Sequence, residues 1–180
     1  MTAQAERVAK VAAHIPDVLD FPRPGVVFKD ITPLLASPDA FRAAVDALVD
    51  VAPRGIDAVV GIEARGFMFA APVALHLGVG FVPVRKPGKL PRAVYSQTFD
   101  LEYGTDTLTV HRDAIQPGAT VLVVDDVLAT GGTIGATKAL MSRLGAEVVH
   151  VAVILELSFL NGRSHLAGQG IGDVAALITV

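Results

Sequence analysis

Two adjacent acids, Asp125 and Asp126, are followed closely by Ala129, Thr130, Gly131, Gly132 and Thr133. They come straight after Val121–Val124, a short apolar run rich in β-branched residues that reads as a buried strand. Carboxylates at the end of a buried strand are costly unless something polar meets them. Glycines that lead a chain into a helix leave backbone N–H groups unpaired, and the helix dipole adds to their preference for an anion. One loop therefore offers carboxylates suited to hydroxyl groups and amides suited to a phosphate, and a sugar phosphate fits both. The bare spacing also suits a plain Gly-Gly turn before a Thr-capped helix, with two acids that merely close a strand.

The elements that must position these residues follow from periodicity. Asp57–Ile62, Val79–Val84 and Val148–Leu155 read as further buried strands, and Val174–Val180 reads as an edge strand. Thr2–His14, Pro38–Ala52, Phe67–Leu77 and Thr133–Leu144 carry apolar residues at helical spacing. In Pro38–Ala52 the apolar face is Phe41, Ala44, Val45, Leu48 and Val49, with Ser37 or Asp39 as the cap. In Thr133–Leu144 it is Ala136, Ala139, Leu140 and Leu144, and Gly145 stops the helix. Strands that alternate with helices predict a parallel α/β sheet. Ligands of such sheets bind beyond the carboxyl ends of the strands. Two further polar turns fall there, GIEARGF with Glu63 and Arg65, and RKPGKLP with Arg85, Lys86 and Lys89. Glu63 and Arg65 alone would also make an ordinary surface ion pair, and the four cations from Arg85 to Arg92 an ordinary solvated loop. Val94–Val110 alternates on both sides of Tyr103-Gly104 and predicts a β-hairpin or flap. The proline-rich span of residues 15–37 reads as an ordered loop without regular elements. GQGIG at Gly168–Gly172 lacks the strand–helix context of a dinucleotide fingerprint.

Bulk properties narrow the choices. The 180 residues predict one domain with a sizeable core, and 52% apolar against 18% charged residues excludes a disordered chain. A net charge of −3 without a basic block argues against a nucleic-acid partner. The absence of cysteine rules out disulfides and thiol chemistry and fits a reducing compartment. The N-terminal stretch lacks the apolar core of a signal peptide. Gly66–Val84 carries no Asp, Glu, Lys or Arg, but Pro72, Gly78, Gly80 and Pro83 interrupt it. A helix, a stop and a strand are expected there rather than a membrane span. None of the five histidines forms a pair at metal-ligand spacing.

The full string VVDDVLATGGT resembles the phosphoribosyl-pyrophosphate (PRPP) motif of type I phosphoribosyltransferases, in the version found in adenine phosphoribosyltransferases. FPRPGVVFKDITPLL, GIEARGF, VRKPGKLP, LEYG and LELSFLNGRSHL are similar to segments of the same family in the same order, from Phe21 to about Leu166. The resemblance implies a type I phosphoribosyltransferase fold in a single domain, residues 1–180. It has a central parallel sheet flanked by helices, a small hood at about residues 15–37 and a flexible β-flap at about 93–110. It implies that Asp125 and Asp126 hold the ribose hydroxyls while Ala129, Thr130, Gly131, Gly132 and Thr133 hold the 5′-phosphate. Arg65, Arg85, Lys86 and Lys89 are expected at the pyrophosphate, with Arg65 and Lys86 also assisting catalysis. The Glu63–Ala64 peptide is expected to be cis, as it often is in the family. Val27, Phe28 and Lys29 are expected at the base, with Lys29 where the family usually has Arg. His165 replaces the usual Lys, and Ala70 the usual Gly.

The implied reaction is adenine plus PRPP giving AMP and pyrophosphate, as in purine salvage. Glu102 of the LEYG loop is the expected general base or proton relay. Mg²⁺ is the expected cofactor, bound mainly through PRPP rather than by protein ligands. A cytoplasmic homodimer is expected, with no nucleic-acid or membrane partner. Two competitors stand beside this reading: a PRPP-sensing regulator on the same fold without catalysis, and a phosphoribosyltransferase for another purine base.

Overall fold

Residues 2–100 and 104–180 are described by the computed structural model, and they fall into two units, Met1–Asp50 and Val51–Val180. In the first unit, helix α1 (Ala3–Ala12) begins where the Thr2 hydroxyl accepts from the Ala5 amide at 3.3 Å. Strands β1 (Asp17–Leu19) and β2 (Val27–Lys29) pair antiparallel, and Lys29 forms an ion pair with Asp17 opposite it. Helices α2 (Thr32–Ala36) and α3 (Pro38–Val51) follow, and the Ser37 hydroxyl caps α3 by accepting from the Ala40 amide at 3.3 Å.

The span of residues 15–37 is thus not a plain loop, contrary to the sequence reading. Its prolines bound short elements instead of abolishing them. Pro22 and Pro24 occupy the connection between β1 and β2, and Pro33 sits in the first turn of α2, where a missing N–H costs no hydrogen bond. In α3 the buried side centres on Ala43, Ala44, Ala47 and Leu48, while Phe41 and Val49 are only half-buried.

The second unit carries β3 (Ala58–Ile62), α4 (Arg65–Leu77), β4 (Gly80–Val84), β5 (Val94–Asp100) and β6 (Thr105–His111). It continues with β7 (Thr120–Leu128), α5 (Gly132–Arg143), β8 (Glu147–Glu156), α6 (Gly162–Gly168) and β9 (Val174–Thr179). A five-stranded sheet runs in the order β4-β3-β7-β8-β9, with every neighbouring pair parallel. Successive side chains of a strand point to opposite faces. On one face Val60, Ile62, Val121, Val123, Val151 and Val153 pack with Ile134, Leu140 and Met141 of α5 and with Leu108 and Val110 of β6. On the other, α4 lies so close to β3 that a Cβ on Gly61 would come within 2.7 Å of the Ala70 Cβ. A side chain at position 61 would find no room there. Strands β5 and β6 form a separate antiparallel hairpin, as their alternation predicted.

Two further elements differ from expectation. Strand β7 does not end before the acids but runs through them to Leu128, because β8 continues to pair with it as far as Leu128 opposite Glu156. Helix α6 was not expected at all, since seven residues are too few to display a helical period.

Candidate functional site

Strand β3 leads outward to β4, while β7 leads the opposite way to β8 and β9. Connections that diverge between adjacent parallel strands leave a crevice beyond their carboxyl ends. The last β3–β7 pair is Gly61 with Val124, so β7 carries Asp125 and Asp126 past its neighbour. The turn after β3 supplies Glu63, Ala64 and Arg65, and the Glu63–Ala64 peptide is cis, as the resemblance led one to expect.

A cavity of about 230 Å³ occupies this crevice. It gathers Arg65, Asp125, Asp126, Ala129, Thr130, Gly131 and Thr133, all singled out from the sequence, and adds Glu63 and the apolar Val127, Leu128 and Ile134. Asp125 and Asp126 are both buried. Arg65 Nε stands 2.9 Å from Asp126 Oδ2, and the Asp126 amide donates to Asp125 Oδ1 at 2.9 Å. Burial drives the Asp125 carboxyl well above the usual carboxylate range, and the neighbouring Asp126 charge pushes the same way, against Arg65. Burial also raises Asp126, but Arg65 pulls it back. The pair is therefore poised to receive hydrogen-bond donors, which favour its ionised form.

Helix α4 enters this cluster through a glycine. A Cβ on Gly66 would lie 2.7 Å from Asp125 Oδ1 and 3.1 Å from the Val124 carbonyl oxygen, so only glycine lets Arg65 approach the acids from this helix end.

The anion cradle is built at the start of α5. Gly131 adopts φ +87° as the cap residue, and the Gly135 amide closes the first turn on the Gly131 carbonyl at 2.9 Å. The amides of the first turn have no partner within such a helix and remain available. Behind the loop, α6 presses close: a Cβ on Gly162 would fall 2.1 Å from the Ala129 carbonyl oxygen. Arg163 holds this helix by donating to both oxygens of Glu156, at 3.1 and 2.6 Å, and to the Val174 carbonyl at 2.6 Å. Gly132 faces a second hollow, of about 550 Å³, together with Phe99, Asp100, His165 and Gln169, and Thr130 borders both spaces.

Of the other sequence-derived candidates, Arg85, Lys86 and Lys89 do not line the 230 Å³ cavity. Arg85 binds Glu63 with two nitrogens, and Lys86 forms an ion pair with Asp106 of β6. Val27, Phe28 and Lys29 belong to the first unit, where Phe28 meets Phe21 edge-on at 5.1 Å. Glu102 and Tyr103 lie outside the described residues. Among the described residues no group of three or more His, Asp or Glu could hold a metal ion, and no helix is long and apolar enough to cross a membrane. Glu63 and Gly66 escaped the sequence reading as functional positions. The signal for Gly66 was its place directly behind a cation at a helix start; Glu63 gave none beyond its proximity to Arg65.

Three comparisons meet this geometry. Residues 30–164 match the phosphoribosyl transferase domain family. The chain is 64% identical over 170 residues to the adenine phosphoribosyltransferase of Cutibacterium acnes, covering 94% of this chain and 96% of that one. Its fold is similar to the crystal structure of adenine phosphoribosyltransferase from Thermoanaerobacter pseudethanolicus, with TM-score 0.91, 46% identity and coverage of 96% and 99%. It is also similar to the enzyme from Saccharomyces cerevisiae complexed with an imino-altritol bisphosphate and adenine, with TM-score 0.89, 38% identity and coverage of 96% and 99%.

Proposed function

The chain belongs to the adenine phosphoribosyltransferase family, and from that premise we propose that it transfers the 5-phosphoribosyl group of PRPP to adenine, releasing AMP and pyrophosphate. The observation that carries this reading is the single cavity in which the buried Asp125–Asp126 pair, Arg65, Ala129, Thr130, Gly131 and Thr133 converge. Asp125 and Asp126 take the ribose hydroxyls and fix the sugar for in-line displacement. As the bond from the anomeric carbon to pyrophosphate lengthens, positive charge grows on the ribose, and ionised carboxylates beside it stabilise that charge. The first-turn amides of α5, with Thr130 and Thr133, hold the 5′-phosphate at the helix N-terminus. Arg65, Arg85, Lys86 and Lys89 supply positive charge for the departing pyrophosphate. Val27, Phe28 and Lys29 recognise the base, and Glu102 accepts the proton that adenine loses.

The magnesium ion implied by the family suits the donor chemistry of the cavity, which offers carboxylate oxygens and no nitrogen or sulfur ligand set. Two adjacent carboxylates make an incomplete cage, so PRPP oxygens would hold the ion in the main, with Asp125 and Asp126 nearest among the protein groups. When bound, it would neutralise pyrophosphate charge. The same reading treats the whole chain as one catalytic domain acting as a homodimer. It places the enzyme in the cytoplasm, because a multiply charged sugar phosphate does not leave water for lipid unaided.

Incubation with adenine, PRPP and Mg²⁺ tests the proposal: AMP and pyrophosphate should form in equal amounts, and excess adenine should suppress turnover of hypoxanthine or guanine. Binding of PRPP without turnover of any purine would replace the enzyme by a sensor.

A further inference from the structure

We propose that Glu63 is a positioning residue for the pyrophosphate-binding cations, acting through Arg85 and the Lys86 main chain. A carboxylate beside a cavity that receives an anionic substrate is unfavourable unless its charge is answered. Glu63 lines that cavity, its side chain is only 15% exposed, and both its oxygens are committed. Arg85 Nε donates to Oε2 at 3.2 Å, an Arg85 terminal nitrogen to Oε1 at 3.1 Å, and the Lys86 amide to Oε2 at 2.9 Å. The Glu63 amide in turn donates to the Val84 carbonyl at 2.9 Å. One residue thus ties the turn after β3 to the cation-bearing segment after β4. These contacts hold the Glu63 carboxyl below its ordinary range although burial opposes them.

The Arg85 fork is set in three further ways. Its main chain exchanges both hydrogen bonds with Thr109 of β6, at 2.9 and 2.7 Å, and another of its terminal nitrogens donates to the Lys89 carbonyl at 3.2 Å. Its guanidinium lies 5.9 Å from the centre of the Phe67 ring. A planar guanidinium bound on two edges has its direction fixed, and so has the Lys86 backbone that leaves from it. A neutral or apolar pair would hold two strand ends together at lower desolvation cost. A carboxylate is needed where cations must be kept in place and their number balanced. Glu63 touches no reacting atom; it sets where the neighbouring positive charges stand.

This inference rests on the function proposed above, and the two can fail separately. Glu63→Gln keeps the shape but removes the charge and turns an amide N–H toward at least one Arg85 donor. Pyrophosphate affinity, read by calorimetry, and the KM for PRPP should each worsen about tenfold, the loss expected for a charge-assisted hydrogen-bond pair. AMP affinity should stay within about threefold, because AMP carries no pyrophosphate, whereas kcat should fall as well, because the same cations meet the departing pyrophosphate. Glu63→Asp, a methylene shorter, should fall between. Adding Arg85→Ala to Glu63→Gln should cost no more pyrophosphate affinity than Arg85→Ala alone. Equal losses for AMP and pyrophosphate, unchanged pyrophosphate affinity, or strictly additive losses in the double variant would overturn the role of Glu63. Absence of adenine turnover by the unaltered protein would instead overturn the parent reading while leaving the pyrophosphate measurement meaningful.

Discussion

The acid pair has opposite consequences for function and for stability. Asp125 is held in a site that disfavours its charge, between the burial imposed by β7 and the neighbouring Asp126. Asp125→Asn keeps the oxygen that accepts from the Asp126 amide and removes the strained charge. PRPP affinity and AMP formation should both fall, while the melting temperature at neutral pH should rise, by about 2–4 °C for each kcal/mol relieved. Calorimetric unfolding and a PRPP titration on the same sample check both halves. Gly66 serves this pair from the other side. Gly66→Ala would put a methyl against Asp125 Oδ1 and the Val124 carbonyl, and β7 is too well paired to retreat. Denaturant unfolding should show a loss of about 1–3 kcal/mol, the usual cost of overpacking, accompanied by weaker PRPP binding.

At the scale of elements, the phosphate loop depends on what stands behind it. Gly162→Ala would drive a methyl into the Ala129 carbonyl, and α6, shorter and tied by Arg163, would have to move away. Affinity for ribose 5-phosphate should fall about tenfold, as expected when a helix-terminus anion site loses its shape, with little change for pyrophosphate; equilibrium binding of the two ligands separates these outcomes. This support was not legible in the sequence. The acids, the glycine loop and the strand–turn–helix rhythm were legible, because burial and helix entry leave local marks: β-branched runs, a Gly-Gly step, a period. The partnerships of Glu63 with Arg85 and of Gly162 with Ala129 join residues far apart in the chain, and no local period records them. The extension of β7 through Asp126 was hidden for the same reason. Its cause is the ladder with β8, whereas two acids in a row read locally as an end. Prolines misled in residues 15–37 because they were counted rather than placed.

For the molecule as a whole, two groups of carboxyls pull stability in opposite directions with pH. Glu63 and Asp106, held low by Arg85 and Lys86, contribute stability that is present above their ordinary values and lost as pH falls through their lowered ones. Asp125 and Asp126 are raised, so the folded state keeps protons that the unfolded state has released. Stability therefore declines as pH climbs from about 4, the ordinary aspartate value, to their raised range. Melting temperature against pH should peak in mildly acid solution, and in Asp125→Asn the decline on the alkaline side of that peak should flatten. The buried acids also make ligand capture visible in the solvent. A sugar whose hydroxyls donate to them favours the charged form, so seating ribose 5-phosphate should expel hydrogen ions into the medium. Heats of association measured in two buffers of unlike ionisation enthalpy should then differ in proportion to the ions expelled, and the difference should shrink once position 125 can no longer ionise.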